Sequence, residues 1–194
     1  MIIKAARERV FKLTKTLKNP IDLISHIPFR IAIVSNLLAL NRDWKIRNLC
    51  NLEPREIRVF INIGSYMPIK AADIAYQARL DSYTVSRAVK KLLSLELIEI
   101  SADKDHKNIK NLVLNAEGAK LYNKLAPALE ARSNELESVL SAAEKSQFYA
   151  IINKLEDQAE KILAEQAIAL IELGNEPPAD QKEIIRWYRK GLKE

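Results

Sequence analysis

The sequence predicts a mainly α-helical protein with one short β hairpin, and three observations carry that prediction. Gly (4) and Pro (7) are scarce among 194 residues, too few turn-formers for a many-stranded sandwich or barrel. Most of the chain repeats apolar residues at steps of three and four, the period of one helix face. Only residues 97–114 shorten to two apolar runs around a polar loop, as a hairpin requires. With 48% hydrophobic and 29% charged residues the chain can build a packed core, which sets disorder and fibres aside.

Residues 3–17 space Ile3, Ala6, Val10, Leu13 and Leu17 along one face and leave Lys4, Arg7, Lys12 and Lys15 off it, predicting a basic amphipathic helix that Asn19-Pro20 ends. A second helix is expected from Pro28 to about Cys50 through Ile31, Val34, Leu38 and Trp44, with Pro28 in its first turn. Pro54 opens a third over 55–64, with Ile57, Phe60 and Ile61 inward, and Met67-Pro68 breaks it. Two short helical patterns, 71–79 and 82–95, joined across Leu80-Asp81, have helix-turn-helix length. Strands at 97–100 and 111–114 then flank a charged loop, 101–110, and a hairpin so placed is a wing.

Asn115 is the expected cap of the next helix, with Glu117 in its first turn and Leu121, Leu125, Leu129, Leu136 and Leu140 on one face. After a break near Ser141 a long helix carries Phe148, Ile152, Leu155, Ala159 and Ile162 and persists towards Leu173, where Gly174 stops it. About 30 residues span roughly 45 Å, too long for one face to find cover in a small monomer, so a partner chain is the expected cover. Asn175-Glu176-Pro177-Pro178 reads as a linker, and Asp180 as the cap of a last helix with Ile184, Trp187 and Tyr188 on one side.

Basic residues outnumber acidic ones 10 to 3 in residues 1–50, 10 to 8 in 51–115, and fall to 11 against 14 beyond. An N-terminal excess of this kind suits an anionic partner, nucleic acid or a lipid surface. One cysteine excludes an internal disulfide, and with two histidines it cannot close a zinc site. No apolar run approaches the roughly 18 residues of a membrane span, so a cytoplasmic protein without membrane partner is expected. His26 and His106 have no nucleophile nearby in a known motif, and glycines 64, 118, 174 and 191 are too scattered for a phosphate loop. No enzyme, cofactor or metal is expected.

The second helix of a helix-turn-helix enters the major groove, so its outward positions should be short, polar or cationic. In 82–95, Val85, Val89 and Leu92 fall on one face, leaving Ser82, Tyr83, Thr84, Ser86, Arg87 and Lys90 as candidate DNA contacts. Arg87 has the fork geometry for a bidentate contact to guanine or phosphate. In the wing, Lys104, His106, Lys107 and Lys110 are the candidate contacts. His26 and Arg30, four apart, could offer two cationic donors to a ligand carboxylate. Cys50 is a structural thiol or an oxidant sensor, with Arg47 three residues earlier able to lower its pKa.

Over residues 28–165 this arrangement resembles the MarR family of bacterial transcription regulators. The likeness is carried by Leu52 to Phe60 (LEPREIRVF), by Asp73-Ile74-Ala75, by Thr84-Val85-Ser86-Arg87 with Leu92, and by Leu112 to Gly118 (LVLNAEG). The resemblance implies a homodimer with interleaved terminal helices, two winged heads on a near-palindromic operator in double-stranded DNA, and a small-molecule cleft where Arg58 and Tyr66 join His26 and Arg30 as candidates. It further implies a ligand-responsive regulator, most often a repressor. The segment from Arg55 to Phe60 is similar to that of members governing aromatic-acid breakdown, which implies an aromatic carboxylate or its coenzyme A thioester as effector. Three positions depart from the family pattern: Glu96 where a glycine usually ends the recognition helix, Ile100 where an arginine commonly follows the first wing strand, and Asp105-His106-Lys107 in place of Asp-Arg-Arg.

The fold class is therefore mainly α: a winged helix-turn-helix head with a small β hairpin, plus N- and C-terminal dimerisation helices. The expected division is an N-terminal arm (1–27), a dimerisation region (28–53 and 115–173), the head (54–114), and a linker with a C-terminal helix (174–194). A competing reading, a helical protein-interaction or membrane-surface module, would use the basic stripe of 3–17 on acidic lipid.

Overall fold

The computed structural model describes residues 12–102 and 110–192. They fall into two compact units, one ending at Asp43 and the other beginning at Trp44.

The first unit holds α1 (Ile27–Leu38) and a single 3-10 turn, Leu40–Arg42. Of the basic helix expected over 3–17, residues 3–11 lie outside the described residues, and 12–17 are not helical. Thr14 and Thr16 there bond each other and the local backbone, the competition by which short hydroxyl side chains disfavour helix. Ile27, Phe29, Ile31, Val34 and Leu37 of α1 are all exposed within the chain.

The second unit opens with α2 (Trp44–Leu49), so the continuous helix expected from Pro28 to Cys50 is two helices. The break runs from Ala39 to Asp43, where the Arg42 and Asp43 N–H groups close only a short 3-10 turn on the Ala39 and Leu40 carbonyls and Asp43 is extended. Next, α3 (Pro54–Tyr66) is closed at its start by a reciprocal box in which Glu56 accepts the Glu53 N–H at 2.9 Å. Its inward residues are Ile57, Val59, Phe60 and Ile63, with Ile61 only half-buried.

Helices α4 (Ala71–Ala78) and α5 (Ser82–Ser94) form the helix-turn-helix, followed by β1 (Ile98–Ala102) and β2 (Lys110–Leu114). The strands are antiparallel, with Ile98 opposite Leu114 and Ala102 opposite Lys110. Leu97 lies outside β1, because its N–H closes the end of α5 on the Leu92 carbonyl at 3.1 Å. Ile69 adds a bridge the sequence did not announce: its N–H donates to the Leu112 carbonyl at 3.2 Å, and the Leu112 N–H returns at 2.8 Å.

Asn115 caps α6 (Ala116–Glu137), accepting the Gly118 N–H at 2.9 Å while its amide donates to the Glu96 carbonyl at 2.6 Å. Gly118 is required there, since a Cβ would lie 1.9 Å from the Leu97 carbonyl oxygen. Of the expected α6 face, Leu125 is fully buried, whereas Leu136 and Leu140 are exposed. Gly64 of α3 admits the Tyr122 ring of α6, which also meets Phe60 at 6.3 Å between centroids. The core is Ile46, Ile57, Val59, Phe60, Ile63, Ile74, Val85, Leu92 and Leu125, so α2 to α6 pack as one body.

Helix α7 (Ala142–Glu172), 31 residues long, starts at a capping box between Ser141 and Glu144 and ends at Gly174, whose φ of 77° suits glycine. Helix α8 (Ala179–Gly191) packs back on α7, where Ala164 and Ala167 are fully buried and allow close approach. Its cap position is Pro178, not Asp180. Pro178 is already extended (ψ 156°) and hands the helix over at Ala179, leaving Asp180 in the first turn to complement the dipole.

Candidate nucleic-acid interface

Helix α5, the second of the helix-turn-helix, is positioned by both of its ends. At its start Asp81 accepts the Thr84 N–H on Oδ1 and the Thr84 hydroxyl on Oδ2, each at 2.7 Å. Those two bonds, the hydroxyl first, hold the Asp81 carboxyl below the usual carboxylate range. At its end the Glu96 N–H reaches the Leu93 carbonyl (3.0 Å) and the Leu97 N–H the Leu92 carbonyl (3.1 Å), with Glu96 left-handed at φ 53°. This is the closure that usually takes glycine.

Val85, Ala88 and Leu92 face the core. Ala88 takes the place expected of Val89, which is half-buried: both fit the 3-4 step between Val85 and Leu92, and packing of α5 on α3 and α4 turns the Ala88 side inward. Outward stand Ser82, Tyr83, Ser86, Arg87 and Lys90, all exposed, with Tyr83 at 70% of its full accessible surface. The Arg87 guanidinium lies 5.7 Å from the centre of the Tyr83 ring. Thr84 is half-buried, and its hydroxyl is engaged by Asp81. Chemically the face offers a guanidinium, an ammonium, hydroxyls and one ring, with no carboxylate among the exposed positions of its first two turns.

In the wing, Lys110 is the exposed first residue of β2. Lys104, His106 and Lys107 lie outside the described residues. Ile100, where the family pattern places arginine, is half exposed on β1.

The four candidate ligand residues divide between the units, His26 and Arg30 in the first, Arg58 and Tyr66 in the second. His26 and Arg30 stand one turn apart at the start of α1, both exposed. His26 also caps α1, its Nδ1 accepting the Phe29 N–H at 3.3 Å. Arg30, Arg58 and Tyr66 are exposed, the last two separated by two turns of α3. Cys50 is half-buried, and burial raises its thiol pKa, outweighing a lowering backbone hydrogen bond at Leu52. Arg47, three residues earlier, does not offset that rise, and a raised thiol pKa disfavours the reactive thiolate.

Two residues were missed by sequence reasoning. Glu183 of α8 accepts the Ser82 N–H, at 3.0 Å on one carboxylate oxygen and 3.3 Å on the other. Arg79, left-handed at φ 48° in the turn between α4 and α5, donates to the Tyr76 carbonyl at 2.6 Å and pairs with Glu160 (2.6 Å) and Glu156 (3.3 Å) of α7. Its guanidinium also lies 4.5 Å from the Tyr76 ring centre and 5.8 Å from that of Trp187. No local pattern announces contacts between residues 101 positions apart. Among the described residues no group of three metal-ligating side chains could hold an ion, and no helix is long and apolar enough to cross a membrane.

No family model and no curated protein sequence matches the chain. Solved structures do. A MarR/EmrR family transcriptional regulator from Acinetobacter sp. ADP1 is 24% identical with a TM-score of 0.67, over 73% of this chain and 99% of that one. MepR from S. aureus, in a DNA complex, is 20% identical with a TM-score of 0.60, over 69% of this chain and 96% of that one. The PcaV transcriptional regulator from Streptomyces coelicolor, in complex with its natural ligand, is 17% identical with a TM-score of 0.60, over 73% of this chain and 99% of that one. The fold is therefore the winged-helix fold of MarR-family structures, and these neighbours are transcriptional regulators, not enzymes.

Proposed function

We propose that this chain is a MarR-family DNA-binding transcription regulator that acts in the cytoplasm as a homodimer, its residues 54–114 forming the head that reads double-stranded DNA. The observation that carries the reading is the face of α5, where Tyr83, Ser86, Arg87 and Lys90 are exposed while Val85, Ala88 and Leu92 are locked into the core. A rigid helix presenting donors outward from a helix-turn-helix suits the major groove. Lys110, exposed at the start of β2, and, by sequence, Lys104, His106 and Lys107 are the proposed phosphate contacts of the wing. A second copy of this chain is the proposed cover for exposed apolar residues on α1 and α7, among them Val34, Leu37, Phe148, Ile151 and Ile162.

The experiment is selection of duplexes from a randomised pool by the full chain, followed by affinity measurement. Arg87→Ala should weaken the selected duplex by about 1–3 kcal/mol with little change in thermal stability. Affinity unaltered at matched salt would remove Arg87 from the interface, and failure to enrich any duplex would end the DNA-binding reading.

For regulation we propose a repressor released by a small aromatic carboxylate or its coenzyme A thioester. Support comes from the likeness of the Arg55 to Phe60 segment and from exposed Arg58 and Tyr66 on α3, a cation and an aromatic ring suited to a flat anion. An effector preferring the DNA-incompetent form about 100-fold, roughly 2.7 kcal/mol per site, suffices when two sites act together. Benzoates, cinnamates and their coenzyme A esters titrated into the protein–duplex complex test it, and displacement only by unrelated cationic compounds or peroxide refutes it.

A further inference from the structure

Helix α8 lies against both helices of the helix-turn-helix. Its Lys190 Nζ sits 3.6 Å from Asp73 Oδ1 and 4.4 Å from the Tyr76 ring centre on α4. Trp187 approaches Arg79 in the turn. Glu183, nearly buried, takes the first N–H of α5 with both carboxylate oxygens. This contact supplies the acceptor that the backbone of Ser82 lacks, Asp81 having taken the Thr84 N–H, so the start of α5 is doubly capped. One turn further along α8, Arg186 places a guanidinium nitrogen 3.5 Å from Glu183 Oε1, yet its side chain is 71% exposed. The cation is thus anchored beside the first turn of α5 with most of its surface open to solvent. The outward face of α5 stays exposed with α8 in place, so α8 flanks the recognition helix and does not cover it.

We propose that α8 is a second DNA-contacting element, with Arg186 binding a backbone phosphate at the edge of the groove that α5 enters. The inference rests on the DNA-binding reading above and extends it to a helix outside the winged head. The N-terminal turn of a recognition helix is the part nearest the base edges, so a group tied to the Ser82 N–H stands close to the flanking phosphates. A guanidinium matches a phosphate with paired, charge-assisted hydrogen bonds. Arg189, also exposed on α8, adds to its positive field, whereas Lys182 is paired with Glu176 and Asp180 and Glu183 are the acids of the helix itself. The acid nearest the groove is the one Arg186 neutralises. Contacts of this type orient a protein on the duplex and carry no sequence information.

The test uses the full chain with two duplexes, one selected from the random pool and one of mixed, unselected sequence, titrated over a series of salt concentrations. Arg186→Ala should weaken binding to both by a similar factor of about 5 to 10, and the slope of log affinity against log salt should flatten by about one unit for the phosphate no longer neutralised. Arg186→Lys should restore the slope, and the thermal midpoint should stay that of the wild type. Wild-type affinity in Arg186→Ala, tighter binding by it, or a loss confined to the selected duplex overturns the proposal while leaving the DNA-binding reading intact. Absence of binding by the wild-type chain to either duplex overturns that reading first, and this inference with it.

Discussion

Glu96→Gly should make the protein more stable, an unusual outcome for deleting a side chain. Glu96 stands at φ 53° where α5 turns into β1, with its N–H on the Leu93 carbonyl and the next N–H on the Leu92 carbonyl. Both bonds require the left-handed conformation, so the chain cannot relax without opening the end of α5. A residue with a Cβ in that region costs about 1–2 kcal/mol, and glycine adopts it freely. Against this, glycine widens the unfolded ensemble by about 0.4–1 kcal/mol. The Glu96 side chain is exposed, and the group it lends to Asn115 is its backbone carbonyl, which glycine retains. The net expectation is a gain of about 0.5–1 kcal/mol, or a rise of about 1–4 °C in midpoint for a chain of this size. Urea titration at one protein concentration measures it, as a shift of midpoint at constant slope. Glu96→Ala is the control, since alanine keeps the Cβ and the strain. Equal stability of the Gly and Ala variants, or a loss in the Gly variant, would refute the account of strain at this turn.

Gly118→Ala should be strongly destabilising, by about 3 kcal/mol or more in the same titration, because its Cβ would meet the Leu97 carbonyl oxygen at 1.9 Å and backbone cannot step aside as a side chain can. Asp81→Ala should cost about 1 kcal/mol near neutral pH through loss of the α5 cap. The Asp81 carboxyl is lowered in the folded state, so its contribution is present above the unfolded value near 3.8 and fades as pH falls through the lower folded value. The difference between Asp81→Ala and wild type should therefore shrink below about pH 4 in acid-unfolding curves, and a constant difference down the scale would contradict the assignment.

Where contacts are local, the residues announced the structure. The break near Ser141, Asn115 before α6, Gly174 after α7 and the 3-4 spacing of α3 and α5 act within one or two helical turns, so spacing alone reveals them. Glu96 was also legible, as a non-glycine at a closure that favours glycine. The candidate reading face of α5 came from the same periodicity, with one register correction, Ala88 for Val89. What only tertiary structure decided is which distant groups share a bond. Ile69 on Leu112, Glu183 on Ser82, and Arg79 between Glu156, Glu160 and Trp187 join segments whose neighbourhoods in sequence are ordinary. His26 adds a local contact that spacing did not reveal, its Nδ1 accepting the Phe29 N–H to cap α1. Helix propensity and periodicity report how a segment satisfies its own backbone, whereas the partner of an exposed charge or an orphan N–H is set by which surfaces the packed core brings together.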